Sequence, residues 1–454
     1  MEVRVLAANG SLGSGFPVSS LERGLSLRPH MIGCDGGSTD SGPAYLGSGK
    51  AKHSRTAVKR DLRHLLLARE KARVPLIVGS CGTSGRDEGV AWMADIAREI
   101  AREEDLHFRM ALIRSSQSAG FIKRSLVEGR IRPLSPAPPL DDEIIEASHI
   151  VGMMGAEPLS AAVEAGADVV LAGRASDAAI YACVPLLMGA DPGLSWHAAK
   201  TIECGSACCV PPRPDGLIAY IRRDHFEIEP LDAEAAVTPV SIAAHTLYEN
   251  ADPYLLTEPS GVIDTERSDY AATSPRSVRV SGTRFRRAAT HTIKLEGAQL
   301  VGYQTVIVGG MRDPNLIGMI DELLAAASRR FDERIADLFG DVLKPGDYEI
   351  RFRLYGRNGV MGDLEPEREA RPHEIGILIA ITAPTQELAT GIAKFVSHRS
   401  AHLPAPGYDG LISSLAYPFS PPEIERGAVY RFSLNHVLAP RDPLEMFRTD
   451  MVEV

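Results

Sequence analysis

The chain of 454 residues has only 6 cysteines and 2 tryptophans, and no run of about 18 apolar residues. So few cysteines do not staple a chain of this length, and none stands at a zinc-site spacing with matching histidines, so they read as reduced thiols. Without a long apolar run no membrane-spanning helix is expected. The opening MEVRVLAANG also lacks a basic stretch followed by an apolar one. A cytoplasmic protein that binds no membrane is therefore expected. Positive charge is scarce as well: the net charge is −10, which argues against a nucleic-acid surface that works by displacing counterions. The phosphate loop GxxxxGK[ST] is missing. Lysine is rare, and arginine supplies 40 of the 49 basic residues. A planar guanidinium suits carboxylate recognition, although a GC-rich genome produces the same bias.

What is present is an ordinary globular composition, 44% hydrophobic and 24% charged, long enough for two or three domains. The first half repeats one pattern: a short apolar run, a Gly/Ser-rich turn, then a segment with apolar residues at helical spacing. VRVLAANG (3–10), HMIGCDGG (30–37), PLIVGSCGTSG (75–85), RMALIRSSQS (109–118), HIVGMMG (149–155) and ADVVLAGRASD (167–177) fit it. Apolar runs without alternation indicate strands buried on both faces, hence a mainly parallel sheet covered by helices. The fold class is α/β, with residues 1–215 forming an open sheet domain. After the Pro-rich break SACCVPPRPDG (206–216), alternating segments indicate antiparallel strands mixed with helices at 315–340 and 385–404. Residues 216–454 read as an α+β domain that contributes to a cleft.

In such a sheet, ligands bind beyond the carboxyl ends of the strands, and the turns there are rich in chemistry. The segment CDGGSTDSGPAYLGSGK (34–50) gathers Asp35, Gly36, Gly37, Ser38, Thr39 and Asp40. Its glycines permit positive φ and inward N–H groups, while the hydroxyls suit an oxyanion or a metal-bound water. The plainer alternative is a tight strand-to-helix connection whose serines cap the next helix. Two carboxylates repel an anion unless a cation mediates. Asp35 and Asp40 therefore point either to a Mg²⁺ bridging to substrate or to an acid and a base. DGGST is also similar to the phosphate loops of sugar-kinase-like ATPases, which keeps an ATP-using ligase, transferase or hydrolase as an alternative.

On the same rim, Ser115, Ser116 and Gln117 follow one strand, and Arg174 and Asp177 follow another. An arginine after an apolar strand needs a partner, and it suits bidentate binding of a substrate carboxylate; an internal ion pair closing the turn is the bland counterpart. In TIECGSACC (201–209), Glu203 or Cys204 is a candidate base for a proton beside a carbonyl. A helix cap and a small buried thiol are the alternative there. Seven histidines, His149, His197, His291, His373, His398, His402 and His436, are acid/base candidates by type only. His398 and His402 in HRSAH stand one helical turn apart, but a surface role outweighs zinc binding because no Glu lies between them.

Several stretches together resemble the acyclic terpene utilisation proteins related to AtuA. They are GCDGGSTDSGPAYLG (33–47), SSQ (115–117), HIVGMMGAEPLSAAVEAGADVVLAGRASDAA (149–179), ECG (203–205), GRNGVMG (356–362) and AYPFSPPEIERGAVYRFSLNHV (416–437). The resemblance implies a role in breaking down acyclic isoprenoids, whose acids are handled as CoA thioesters. Longer relatives carry a small C-terminal domain; the resemblance thus implies a small partner protein in its place here, or a non-catalytic subunit of such a complex. The reading reached is a lyase or hydratase acting on a branched or hydroxylated carboxylic acid or its thioester, in a homo-oligomer. Arg174 and the 35–40 and 115–117 turns bind substrate, Asp35 and Asp40 hold any metal, and Asp177, Glu203 and Cys204 do the chemistry.

Overall fold

The computed structural model describes residues 1–454 except 249, 406–408, 410 and 411. The described residues form two compact units, residues 1–299 with 432–454, and residues 300–431. The Pro-rich break at 206–216 lies inside the first unit. The reason is a pairing that composition does not reveal: Leu217–Ile221, just past the break, runs antiparallel to the first strand, Val3–Ala7.

The first unit is built on a ten-stranded sheet. Five neighbouring strands are parallel, in the order Val3–Ala7, Met31–Asp35, Leu76–Gly79, Val169–Ala172 and Arg109–Ile113. Antiparallel strands extend both edges, from Leu217–Ile221 outward on one side and with Thr449–Glu453 on the other. This is the α/β architecture read from the apolar runs. Successive residues feed opposite faces: Val5, Met31, Ile77 and Val170 join one core, while Leu6, Ile32, Val78 and Leu171 join the other. Burial on both faces is what the lack of alternation encodes.

The helices divide accordingly. Arg55–Ala72, capped by the Ser54 hydroxyl on the Ala57 N–H, and Asp87–Glu104 supply Leu62, Leu65, Met93 and Ile100 to one core. Asp177–Leu187 and Pro192–Ile202 lie in the other, with Tyr181, Val184 and Trp196.

One expected parallel strand belongs elsewhere. Ser148–Met153, from HIVGMMG, pairs antiparallel with residues 294–299 and with Ser116–Gln117. The connection from Arg109–Ile113 is long enough for a crossover and holds the helices Ala119–Val127 and Asp142–Ala147, so the strand's pairing partners, not the length of that connection, decide the placement. A separate three-stranded antiparallel sheet, Leu255–Glu258, Gly261–Asp264 and Arg284–Arg287, also belongs to this unit.

The second unit is α+β. Residues 303–311 pair antiparallel with Ile375–Ala383, which pairs with Glu349–Tyr355. Helices Ile320–Phe339 and Gln386–Ser400 contribute Leu323, Phe331, Ile392 and Val396 to its core. No helix among the described residues is long and apolar enough to cross a membrane.

Candidate active site

The carboxyl ends of the parallel strands deliver Asp35, Ser80, Ser115 and Arg174 to one rim, and Arg174 organises it. Strand Val169–Ala172 carries it inward until it is 5% exposed. Its Nε donates to Glu296 at 2.8 Å, and Nη1 donates to the Ala175 carbonyl at 2.7 Å and to Asp177 and the Ser80 hydroxyl at 3.2 Å each. A buried guanidinium without such partners would be costly. Burial alone would raise the Glu296 carboxyl, but Arg174 and then Lys294 hold it down at about 2. Ser80 adopts φ 47 and Thr83 φ 82. Non-glycine residues in that region mark strain held in place by the surrounding structure, as is common at functional sites.

Around this pair stand four carboxyls that are pushed the other way. Burial lifts Asp35 well above its ordinary value, and the neighbouring Asp177 charge adds to the effect. Burial raises Asp177 too, against the pull of Arg174. Glu203 ends the helix Pro192–Ile202 and contacts the Lys200 ammonium one turn back. Burial still raises it to about 8, because Asp177 and Glu258 offset part of what Lys200 gives. Glu258 accepts from the Ser176 hydroxyl at 2.7 Å and is raised to about 7, again chiefly by burial. Carboxyls that hold a proton near neutral pH are suited to general acid and base work. Asp35 and Glu203 are buried, whereas the Asp177 side chain is 29% exposed and Glu258 is half-buried. Glu258 also lines a cavity of about 460 Å³ with Arg132, Thr290 and Thr292.

The structure thus brings together Asp35, Arg174, Asp177 and Glu203 from the sequence-derived set. Tyr181, fully buried, belongs with them: its hydroxyl has no hydrogen-bond partner, and its pKa is raised by burial and then by Cys34 and Asp35. Gly33 makes room for its ring, since a Cβ there would lie 2.5 Å from it.

The other residues read from the rim serve local ends. The Gly36 N–H donates to the Gly79 carbonyl and the Gly37 N–H to the Asp35 carboxyl, so neither amide is spare for a phosphate. A Cβ on Gly36 would meet Gly79 O at 2.6 Å, and one on Gly37 would meet Thr83 Cα at 2.5 Å. Close packing of two loops, rather than a cradle, explains these glycines. Ser38 caps the turn Thr39–Ser41, Thr39 is buried, and exposed Asp40 accepts from the Ser38 hydroxyl. Among the described residues no group of three or more His, Cys, Asp or Glu side chains is placed to hold a metal ion.

Ser115 is spent on the Gly85 carbonyl and the Arg174 N–H, Ser116 on Asp87, and Gln117 on the Ser115 and Met446 carbonyls. Cys204 is the one cysteine that is not buried. It lies within electrostatic reach of Lys200 and Tyr181. His197 bonds the Thr283 and Thr246 hydroxyls, and burial lowers it to about 3. His398 and His402 are exposed.

Sequence reasoning missed Lys200, Glu258 and Glu296. Lys200 and Glu203, three apart on a helix, carried a readable pairing signal. Nothing local marks Glu258 or Glu296, whose partners are 82 and 122 positions away.

The family model for acyclic terpene utilisation proteins, AtuA, matches residues 49–209 and 226–422. The chain belongs to the AtuA family. The first matched segment holds Arg174, Asp177, Lys200 and Glu203, the second holds Glu258 and Glu296, and Asp35 precedes both. The AtuA description concerns the use of acyclic terpenes and names no reaction. No curated protein and no solved structure matches the chain.

Proposed function

We propose that the chain is a lyase or hydratase acting on a branched or hydroxylated carboxylic acid, free or as its CoA thioester. One observation carries this reading: Glu258 and Glu203 hold their protons to about 7 and about 8, beside Asp177 and Lys200. A carboxyl with an ordinary pKa is a weak base at neutral pH and almost never an acid there, whereas one near 7 takes up and returns a proton.

Elimination of water needs both operations. One carboxylate takes the proton from the carbon next to the carbonyl, the C–H electron pair becomes the C=C bond, and the C–O bond breaks. A second carboxyl then gives its proton to the departing hydroxyl, which leaves as water; the reverse sequence is hydration. Asp177 and Glu258, the two that keep contact with solvent, are assigned these roles. Asp35 and Glu203 lie deeper and raise the proton affinity of the group. The bonds of Arg174 use Nε and Nη1, and Nη2 anchors the substrate carboxyl or carbonyl oxygen.

The test is proton exchange in D₂O, followed by NMR, for a panel of branched and hydroxylated acids and their CoA thioesters, with and without Mg²⁺. The expected result is exchange or loss of water beside the carbonyl with the native enzyme. The rate should fall by about 10²-fold or more in Asp177→Asn and Glu258→Gln with circular dichroism unchanged. No exchange on any member of the panel, or full rates in both variants, sinks the reading.

A further inference from the structure

Next to the carboxyl cluster, where the Glu157 charge adds to what raises Glu258, the first unit holds a cavity of about 740 Å³, within the size range of small-molecule sites. Its apolar wall includes Trp196, Phe285 and Leu187. The Trp196 and Phe285 rings stack at 6.0 Å with an interplanar angle of 12°, which holds Phe285 against the buried Trp196 ring.

Three polar groups on this cavity are unmet by the protein. Glu157 Oε2 and His291 Nε2 are buried and have no hydrogen-bond partner, and both residues line the cavity. Buried polar atoms are almost always satisfied, so two orphans on residues that line one space call for a ligand that supplies their partners. The Glu157 carboxylate lies over Gly155, where a Cβ would come within 2.6 Å of Oε2; the glycine leaves it room. Arg287, exposed and also on the lining, makes no ion pair among the described residues.

We propose that this cavity binds a hydroxylated carboxylic acid with an apolar chain. The chain lies against Phe285 and Leu187, with Trp196 stacked on Phe285, the carboxylate meets Arg287 and His291, and the hydroxyl donates to Glu157. Glu157 and Arg287 oppose each other in charge, so a ligand with a donor at one end and an anion at the other satisfies both, and a plain hydrocarbon satisfies neither. The site stands on its own geometry and holds whether or not the carboxyl cluster is catalytic.

Only two tryptophans are present, Trp92 and Trp196, so the full-length Trp92→Phe protein reports the cavity directly. Titration with 3-hydroxyoctanoate is expected to change Trp196 emission saturably, with octanoate binding about fivefold more weakly. Arg287→Met should weaken both acids about tenfold, and Glu157→Ala should abolish the preference for the hydroxyl. Both substitutions are judged on protein with unchanged circular dichroism, and Asp177→Asn is expected to leave the titration as it is. An emission that does not respond up to about 10 mM acid overturns the site. So does an equal response to octylamine, or an unaltered affinity in Arg287→Met.

Discussion

Arg174 and Glu296 form a 2.8 Å ion pair with both side chains only 6% exposed. It ties the carboxyl end of a parallel strand to an antiparallel strand 122 positions later. Removing one member of such a pair leaves an uncompensated charge in a low-dielectric setting. Glu296→Ala should therefore cost about 3–5 kcal/mol in urea unfolding, and Arg174→Met a similar amount. The double variant Arg174→Met, Glu296→Leu should lose clearly less than the sum. Strict additivity would show that the two charges do not depend on each other.

The raised carboxyls make a pH-dependent cost. Glu258 and Glu203 titrate in the folded chain at about 7 and about 8, but near 4.3 when unfolded. Between these limits the folded state holds protons that the unfolded state has released, so stability falls as pH rises from about 4.5 to 8. Glu258→Gln removes one such group. Its unfolding free energy, read by urea denaturation, should match the native protein at pH 4.5 and exceed it at pH 8, by a gain on the order of 1–3 kcal/mol. Parallel curves for the two proteins across that range would contradict the assignment.

Gly85 and Gly129 share nearly the same backbone, φ +70 and +71, but differ in surroundings. A Cβ on Gly85 would lie 2.1 Å from the Arg174 nitrogen, while one on Gly129 would meet nothing within 4 Å. Gly129→Ala should cost about 1 kcal/mol, the price of the left-handed conformation alone. Gly85→Ala should cost at least about 2 kcal/mol more, since the Arg174 backbone must shift. Equal melting temperatures for the two variants would mean that the rim can relax freely.

Cys34, Cys81, Cys183, Cys208 and Cys209 are buried, and burial pushes the Cys183 thiol up to about 12. Cys204 is partly exposed. Native protein treated with iodoacetamide should take up one label, at Cys204, as read by intact mass and peptide mapping. Rapid labelling of two or more thiols under native conditions would contradict this burial pattern.

The parallel strands were legible because a strand buried on both faces has to be apolar along its length, as Leu76–Gly79 and Val169–Ala172 are. For the same reason Arg174 and Asp177 could be picked out at the end of such a strand. HIVGMMG shows the limit: its composition suits either sheet, and the longer of its two antiparallel partners lies past position 290. The Gly-rich turn at 34–48 announced itself by composition, yet its cause did not. Gly36 and Gly37 are small because the Gly79–Thr83 backbone passes over them, and that approach exists only after the second and third parallel strands have paired.

By itself, then, the sequence determined the class of fold, the strand ends that face the rim, and half of the charged residues placed there. Each of these follows from preferences exercised over a few neighbouring residues. Only the tertiary structure decided that Asp35 and Glu203 are buried together, that Glu258 and Glu296 join them, and that the unit closes with residues past the Pro-rich break. A carboxyl's proton affinity is set by how completely water is removed and by which charges stand nearby. Glu258 and Glu296 arrive on segments 82 and 122 positions from their partners, a separation over which local sequence pattern carries no information.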